Sequence, residues 1–228
     1  DQATVLAGGA RSASSLVDPE RMLMVRAFLA IELPQELRAT LAAIEQDMKR
    51  QLERTVDRHV RISWVRPDSM HLTLRFLGDT ADESIEPLRV AIEASMSAHQ
   101  AIPIPLERLG TFPRPQAPRV LWVGPSASWE QGRDAQRLAA IHREVETCCR
   151  AANFAPDERP FSLHLTLARI KEGERQVGQV LAQNGLLERP VTIGTLLLGA
   201  IVLMKSDLRP TGSVYTKLWE CPLAPSGT

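Results

Sequence analysis

The sequence predicts an α+β fold built from two related lobes. Short apolar runs that are typical of strands alternate with helical patterns along most of the 228 residues. Several runs are separated only by short turns, which favours antiparallel neighbours because a parallel crossover needs about a dozen residues. The sequence HLTLRFLG at residues 71–78 is partly repeated as HLTLARI at residues 164–170. This repeat places one such strand in each lobe and indicates a pseudo-twofold arrangement.

The first half of the chain contains predicted strands and helices in alternation. Residues 25–33, VRAFLAIEL, form a short apolar run that ends at Pro34, so we interpret them as a buried strand. Pro34 suits the first turn of a helix, and Leu37, Leu41 and Met48 recur at helical spacing up to about residue 54. The other predicted elements are strands at residues 62–65 and 71–77 and a helix at residues 82–98.

The second half repeats this order of elements. A proline-rich loop at residues 111–118 separates predicted strands at residues 102–109 and 119–124. Residues 131–152 follow a helical pattern, with Leu138, Ile141 and Val145 on one face. The remaining elements are strands at residues 161–170, 191–204 and 214–222 and a short helix at residues 175–184.

Composition restricts the partners of the chain. Its 27 basic and 27 acidic residues give zero formal charge, which argues against an extended nucleic-acid footprint. A few local arginines can still bind a nucleic-acid end. The three cysteines form no CxxC pair, which favours reduced thiols and a cytoplasmic protein. No run approaches the ~18 apolar residues of a membrane helix, and no obligate protein partner is indicated.

We interpret residues 24–228 as a single domain and residues 1–23 as an N-terminal extension outside the fold. The first residues are rich in Ala, Gly and Ser and have no core-facing pattern. They also lack the continuous apolar region of a secretory signal. Met22 and Met24 come immediately before the first predicted strand. A processed transit peptide is the alternative interpretation of the extension.

The two HLTL segments are candidates for a catalytic site. Side chains alternate between the two faces of a strand, so His71 and Thr73 share one face and the leucines between and after them share the other. The same holds for His164 and Thr166. If the lobes face each other, two histidines and two threonines converge on one cleft. Displacement at phosphorus needs a base for the nucleophile and an acid for the leaving oxygen, which two histidines can supply near neutral pH. Threonine hydroxyls can donate hydrogen bonds to the non-bridging oxygens.

Other interpretations of these histidines are less consistent with the sequence. A single His-x-Thr frame is usually only a polar strand face, but two copies in equivalent strands favour a catalytic site. The chemistry needs no metal, and a zinc site on His71 and His164 lacks an obvious third ligand. Surface placement is expected for His59, His99 and His142, which fall in polar helical or loop stretches.

The paired frames resemble those of the 2H phosphoesterases. The bacterial and archaeal RNA 2',3'-cyclic phosphodiesterase branch, also described as 2'-5' RNA ligase-like, has similar landmarks in the same order. These are VRAFLAIELP, ISWVRPDSMHLTLRFLGD, LGTFPRPQAPRVLWVG, ERPFSLHLTLARI and SVYTKLWECPL, which extend over about residues 24–223. The resemblance implies a bilobal α+β fold, in which two pseudo-twofold-related antiparallel sheets carry helices on their outer faces and enclose a central cleft.

The resemblance also implies an activity and roles for the motif residues. The activity is hydrolysis of RNA 2',3'-cyclic phosphate ends to 2'-phosphomonoesters, without a metal or another cofactor. By similarity, His71 is the proton donor to the leaving 3'-oxygen and His164 is the proton acceptor from water. Thr73 and Thr166 bind the phosphate. This sequence departs from the family pattern at Leu163, where proline usually precedes the second histidine, and the departure concerns the local geometry of the strand entry.

Further residues are candidates for binding the substrate, namely Arg75, Arg169, Phe28, Trp64, Phe112 and Tyr215. Arg75 falls on the predicted face of His71, with a solvated charge at the rim as the alternative. Arg169 faces away from His164 in a regular strand, so it reaches the phosphate only if the strand bulges or ends there. A salt bridge across the sheet is the alternative for Arg169. The aromatic rings can stack on a base, although Phe28 and Trp64 lie in apolar strands, where a core role is the alternative.

Three rival functions use the same groups or the same fold. One is 2'-5' ligation, which joins a cyclic phosphate to a 5'-hydroxyl. Hydrolysis is expected to dominate over ligation in ~55 M water unless the RNA ends are held together. A second is hydrolysis of a small cyclic nucleotide or a 2'-5' oligonucleotide. The third is a non-catalytic module that binds RNA ends, and such a module would fit better with one damaged motif than with the two intact frames present here.

Overall fold

The computed structural model describes residues 24–210 and 212–225. The predicted N-terminal extension, residues 1–23, lies outside the described residues. The strands of the described chain are β1 (Met24–Glu32), β2 (Arg61–Trp64), β3 (His71–Ala81), β4 (Ile102–Leu106), β5 (Arg108–Phe112), β6 (Val120–Gly124), β7 (Leu165–Glu172), β8 (Gly194–Leu198), β9 (Ala200–Arg209) and β10 (Gly212–Pro222). The helices are α1 (Gln35–Glu53), α2 (Ile85–Met96), α3 (Ala127–Glu130), α4 (Arg133–Ala151) and α5 (Glu174–Gln183).

Two antiparallel sheets of four strands form the two lobes. The first sheet has the order β10-β9-β1-β3, and the second has the order β2-β7-β6-β5. A separate two-stranded ladder pairs β4 with β8. Each sheet contains one HLTL segment, β3 in the first and β7 in the second, and these two strands are in contact. The predicted α+β architecture with two related antiparallel sheets is therefore confirmed.

The two faces of the first sheet have different surroundings. Leu29 and Ile31 of β1 point into the main apolar core, which also contains Leu72 of β3 and residues of the helices. The alternate residues of β1 point to the opposite face, where a small apolar cluster consists of Phe28, Ala30, Val202 and Met204, with Tyr215 packed against it. This alternation follows from the period of two in a strand. The face of the sheet that carries His71 therefore packs on this small apolar cluster, which is separate from the main core.

Several predicted elements differ from the observed ones. The predicted strand at residues 102–109 is two strands, because β4 pairs with β8 whereas β5 pairs with β6. The predicted strand at residues 191–204 also divides at Gly199, and its parts join different sheets. The strand predicted from residue 161 begins only at Leu165, so His164 lies just before β7. Pairing partners far away in the chain determine these boundaries, and local patterns do not reveal them.

The helices of the described residues are short or amphipathic. None of those between residues 24 and 225, residue 211 apart, combines the length and the apolar character that a transmembrane helix requires.

Candidate active site

The two motif histidines are held in the same way. The Nδ1–H of His71 donates a hydrogen bond to the Ser69 carbonyl at 2.9 Å, and that of His164 donates to the Ser162 carbonyl at 2.8 Å. A carbonyl oxygen can only accept, so Nδ1 carries the proton in each neutral ring. Among the described residues, neither Nε2 atom has a hydrogen-bond partner. Each ring therefore has one free nitrogen that can exchange a proton with a substrate.

Both motif strands contain a β-bulge at the same place. In β3, Thr73 pairs with Ala30 and Arg75 pairs with Leu29, so Leu74 is an extra residue. In β7, Thr166 pairs with Trp122 and Ala168 pairs with Leu121, so the extra residue is Leu167. A bulge reverses the alternation of faces that follows it. Because Leu74 and Leu167 are extra residues, the side chains that follow them lie on the opposite face from the one that regular alternation predicts.

Aromatic rings and apolar side chains surround His71. Its ring lies 4.5 Å from that of Phe28 and meets Tyr215 edge-on at 4.9 Å, measured between centroids. Removal from water disfavours the charged imidazolium and lowers the pKa of His71 to about 4. The hydrogen bond to the Ser69 carbonyl acts in the opposite direction, and the positive charge of Arg38 adds to the lowering. His71 is therefore neutral at pH 7 when no ligand is bound.

His164 has a related environment with a different charge beside it. Phe112 meets its ring edge-on, at 5.0 Å between centroids and an angle of 86°. Trp122 in turn stacks on Phe112 at 5.2 Å, and a Cβ atom at Gly110 would overlap the indole, so glycine permits this close approach. Burial lowers the pKa of His164, the hydrogen bond to the Ser162 carbonyl raises it, and the charge of Arg169 lowers it further.

The two motif threonines lie beside their histidines, as the motif predicts. Thr73 and Thr166 are half-buried, and their hydroxyls make no hydrogen bond to a residue within the described ranges. Thr73 shares a strand face with His71, because only one residue separates them before the bulge. Thr166 pairs with Trp122, which stacks on Phe112, the ring that contacts His164. Their hydroxyls are consequently available to donate to an anion beside the imidazoles.

The bulges decide the positions of the two candidate arginines. The predicted position of Arg75 on the face of His71 is wrong, since the bulge turns this side chain inward and leaves it only 5% exposed. There it forms an ion pair with Glu146. The bulge in β7 has the opposite consequence for Arg169, which is exposed, pairs with Val120 and stands beside His164. Its side chain forms no ion pair with a described residue, so the condition set for Arg169 to reach a phosphate is met.

The aromatic candidates fall into two groups. Phe112 and Tyr215 are half-buried and each contacts a motif histidine, so both border the site. Phe28 also contacts His71 but is 3% exposed. It therefore packs against the imidazole from the apolar cluster and offers no free ring face to a base. Trp64 pairs with the buried Ala168 and packs against the main core, as the alternative interpretation proposed.

Two residues near His71 were not identified from the sequence. Phe76 is the cross-strand partner of Phe28, is 48% exposed and lies 6.0 Å from the Phe28 ring, so it shares the face of His71. Regular alternation places it on the other face, and only the bulge reveals it. Arg38 of α1 acts on His71 through its charge and donates to the Leu33 carbonyl at 3.0 Å. No local signal in the sequence relates Arg38 to the motif.

Within residues 24–210 and 212–225, no three His, Cys, Asp or Glu side chains are grouped as metal ligands.

Known proteins that resemble this chain in sequence belong to one family. The model of a family described as LigT like Phosphoesterase matches residues 31–122 and 132–215. A curated relative from Aeropyrum pernix, named RNA 2',3'-cyclic phosphodiesterase, is 34% identical over 173 residues, covering 74% of this chain and 90% of the relative. A relative of the same name from Methanothermobacter thermautotrophicus is 26% identical over 196 residues, covering 86% of this chain and 97% of the relative.

Solved structures show the same fold. The crystal structure of E. coli LigT complexed with 3'-AMP has a TM-score of 0.63 and 21% identity, over 88% of this chain and 99% of that one. The family match covers most of the chain and includes both His-x-Thr frames. The chain therefore belongs to the family of LigT-like 2H phosphoesterases.

Proposed function

We propose that this protein hydrolyses RNA 2',3'-cyclic phosphate ends to 2'-phosphomonoesters. The observation that carries this proposal is a pair of imidazoles, one at the start of β3 and one just before β7, two strands that are in contact. Each imidazole has Nδ1 bound to a backbone carbonyl and an Nε2 with no partner among the described residues. The names of the curated relatives support the choice of substrate, since they are RNA 2',3'-cyclic phosphodiesterases. The E. coli LigT structure with 3'-AMP supports a site of nucleotide size.

In the proposed mechanism, His164 Nε2 accepts a proton from water as the water oxygen bonds to phosphorus. The bond between phosphorus and the 3'-oxygen breaks, and His71 Nε2 donates a proton to that oxygen. The 2'-oxygen keeps the phosphate, so the product is a 2'-phosphomonoester. Thr73 and Thr166 donate hydrogen bonds to the non-bridging oxygens, and Arg169 supplies positive charge where negative charge accumulates. Proton exchange with solvent restores the initial states of the two imidazoles.

His71 must gain a proton before it can act as the acid, because its ring is neutral in the free protein at pH 7. A bound phosphate anion favours the imidazolium form. The substrate thus supplies part of the interaction that charges its own general acid. Binding of the phosphate anion and catalytic activity are therefore coupled in the proposed site.

The test is an incubation with a short RNA that ends in a 2',3'-cyclic phosphate, with EDTA present. Phosphorus NMR separates the cyclic phosphate, the 2'-monoester and the 3'-monoester. We expect the 2'-monoester to accumulate. An unchanged cyclic signal would contradict the proposed activity, and a 3'-monoester would contradict the choice of leaving oxygen. Including an RNA with a free 5'-hydroxyl detects the 2'-5' ligation product in the same spectrum.

The dependence of kcat/KM on pH is expected to have its maximum on the acid side of pH 6.5. The active form of the free enzyme has one histidine protonated and one neutral, so its fraction is largest between their two pKa values. His71 has a pKa of about 4 and the pKa of His164 is lowered from 6.5, so both values lie below 6.5. Measurements from pH 3.5 to 8.5 check this. A kcat/KM that rises between pH 6.5 and 8 would contradict it.

Replacing either motif threonine with valine is expected to reduce kcat about 10²-fold. The change removes a hydroxyl donor at nearly constant volume, and loss of one such donor to a developing negative charge has about this effect. Stability should change little, because neither hydroxyl has a partner in the described chain. Steady-state kinetics of Thr73→Val and Thr166→Val measure the loss. Thr216→Val, at an exposed position of β10, is the matched control and should keep wild-type kcat.

A further inference from the structure

Arg75 and Glu146 are the buried charged residues of the described chain. Their ion pair joins β3 of the first sheet to α4. A buried charge is stable only when it is paired and its hydrogen-bonding capacity is satisfied. The position of these two residues next to a motif strand therefore needs a structural reason.

The guanidinium of Arg75 connects three parts of the molecule. Besides Glu146, it donates hydrogen bonds to the Phe76 carbonyl in its own strand and to the Ala155 carbonyl. It also lies 3.9 Å from a carboxylate oxygen of Asp157. Ala155 and Asp157 belong to the segment of residues 152–164, which contains neither helix nor strand. The planar fork of an arginine suits such simultaneous contacts, whereas a lysine presents a single nitrogen.

The same irregular segment ends at the second motif histidine. Phe161 is anchored on α4, where its ring stacks on that of His142 at 4.2 Å and an interplanar angle of 20°. The next residue, Ser162, provides the carbonyl that accepts from His164 Nδ1. The orientation of the His164 ring thus depends on the position of a segment without regular structure.

The first motif histidine does not have this dependence. Its acceptor, Ser69, ends a short 3₁₀ turn at Pro67–Ser69, and the Met70 N–H donates to the Pro67 carbonyl at 3.1 Å. A local hydrogen bond therefore positions the carbonyl beside His71. The two motif histidines thus make the same hydrogen bond from Nδ1, but different parts of the structure hold the carbonyl that accepts it.

We propose that Arg75 is a positioning residue, which holds the segment of residues 152–164 so that the Ser162 carbonyl fixes the ring of His164. In this way the strand of one motif histidine sets the orientation of the other. The kinetic part of the following test rests on the proposed function, whereas its NMR part does not. A misplacement of about 1 Å in a catalytic group can reduce the rate about 10²-fold, so the expected effect is on kcat.

The main variant is the double substitution Arg75→Met/Glu146→Met. Replacing both partners of a buried ion pair with apolar residues avoids leaving one charge unpaired and often preserves the fold. Arg75→Lys is the second variant, because it retains the charge beside Glu146 but loses the fork. Arg137→Met is the matched control on α4. Arg137 also bonds a carboxylate, of Asp134, and backbone carbonyls, of Gln100 and Ala101, but in contacts that do not include a motif strand or the segment of residues 152–164.

Thermal unfolding, kinetics on the cyclic-phosphate RNA and nitrogen-15 NMR of the imidazoles are measured for each protein. For the double variant we expect a folded protein, a kcat reduced about 10²-fold and KM within about threefold of wild type. The His164 signals should lose the single Nδ1–H tautomer, and the pKa of His164 should move up toward its ordinary value as the ring is freed. The His71 signals should not change. Arg75→Lys should remain folded and show the same His164 changes, with some loss of stability because the Phe76 and Ala155 carbonyls lose donors. Arg137→Met should show none of the His164 changes.

Unchanged His164 signals in a folded double variant and in Arg75→Lys would overturn the proposal. So would a loss of stability without a change in tautomer or kcat, since that result defines a purely structural ion pair. If the double variant does not fold, Arg75→Lys alone decides between these outcomes. If wild-type protein does not hydrolyse the RNA, the proposed function fails, and the His164 spectra still test the role of Arg75.

Discussion

His71→Ala and His164→Ala proteins are each expected to lose about 10²–10⁴-fold in kcat on a cyclic-phosphate RNA, since this is the usual contribution of one general acid or base. Neither substitution should impair folding, because the hydrogen bonds of both rings are confined to nearby carbonyls. Phosphorus NMR of the product and circular dichroism of the protein check the two statements. His59→Ala is the matched control, since His59 is exposed in the turn before β2. Activity that survives either motif substitution would sink the two-histidine mechanism.

The same variants can assign the two roles. In a substrate whose 3'-bridging oxygen is replaced by sulfur, the leaving thiolate needs no proton, so the general acid becomes dispensable. We expect this substrate to restore the rate of His71→Ala and not that of His164→Ala. Restoration of His164→Ala alone would exchange the two roles. Restoration of neither would place the rate-limiting step elsewhere than at departure of the leaving group.

Leu165→Ala is expected to have the complementary effect, with a large cost in stability and little cost in chemistry. Leu165 is 1% exposed within the main core, and truncation of such a leucine usually lowers the free energy of unfolding by about 2–5 kcal/mol. Urea unfolding measures the loss, and kcat per folded molecule should stay within about threefold of wild type. Leu197→Ala is the control at an exposed strand position, where a change of at most about 0.5 kcal/mol is expected. A stable Leu165→Ala protein would show that the two faces of the motif are not divided as described.

The two faces of the motif could be predicted from the sequence because the motif is short and locally regular. From His71 to Leu74 the alternation of faces holds, so the histidine and threonine of the frame could be separated correctly from the leucines. The buried leucines and the half-buried polar side chains agree with that prediction. The fold class followed from the repeat and from the short connections, which constrain strand direction more than they constrain strand ends.

The errors came from contacts that join distant parts of the chain. Arg75 was placed on the wrong face because the bulge at Leu74 depends on pairing with β1, which no local pattern around β3 encodes. His142, expected at the surface, is half-buried and stacks on Phe161 of the segment before β7. Arg38 reaches the neighbourhood of His71 from α1. In each case the partner residue lies in another element of the fold, so only the assembled structure shows the contact.

The paired bulges give the two motif strands of this chain a spacing that differs from regular alternation. Counting the histidine as position zero, the residues on its strand face fall at positions zero, two and five, and not at zero, two and four. In one strand these are His71, Thr73 and Phe76, and in the other the fifth position is Arg169. One strand thus has an aromatic ring at the position where its counterpart has a guanidinium. Two halves that share a repeated motif thus diverge at a single offset, where one carries a phenyl ring and the other a guanidinium.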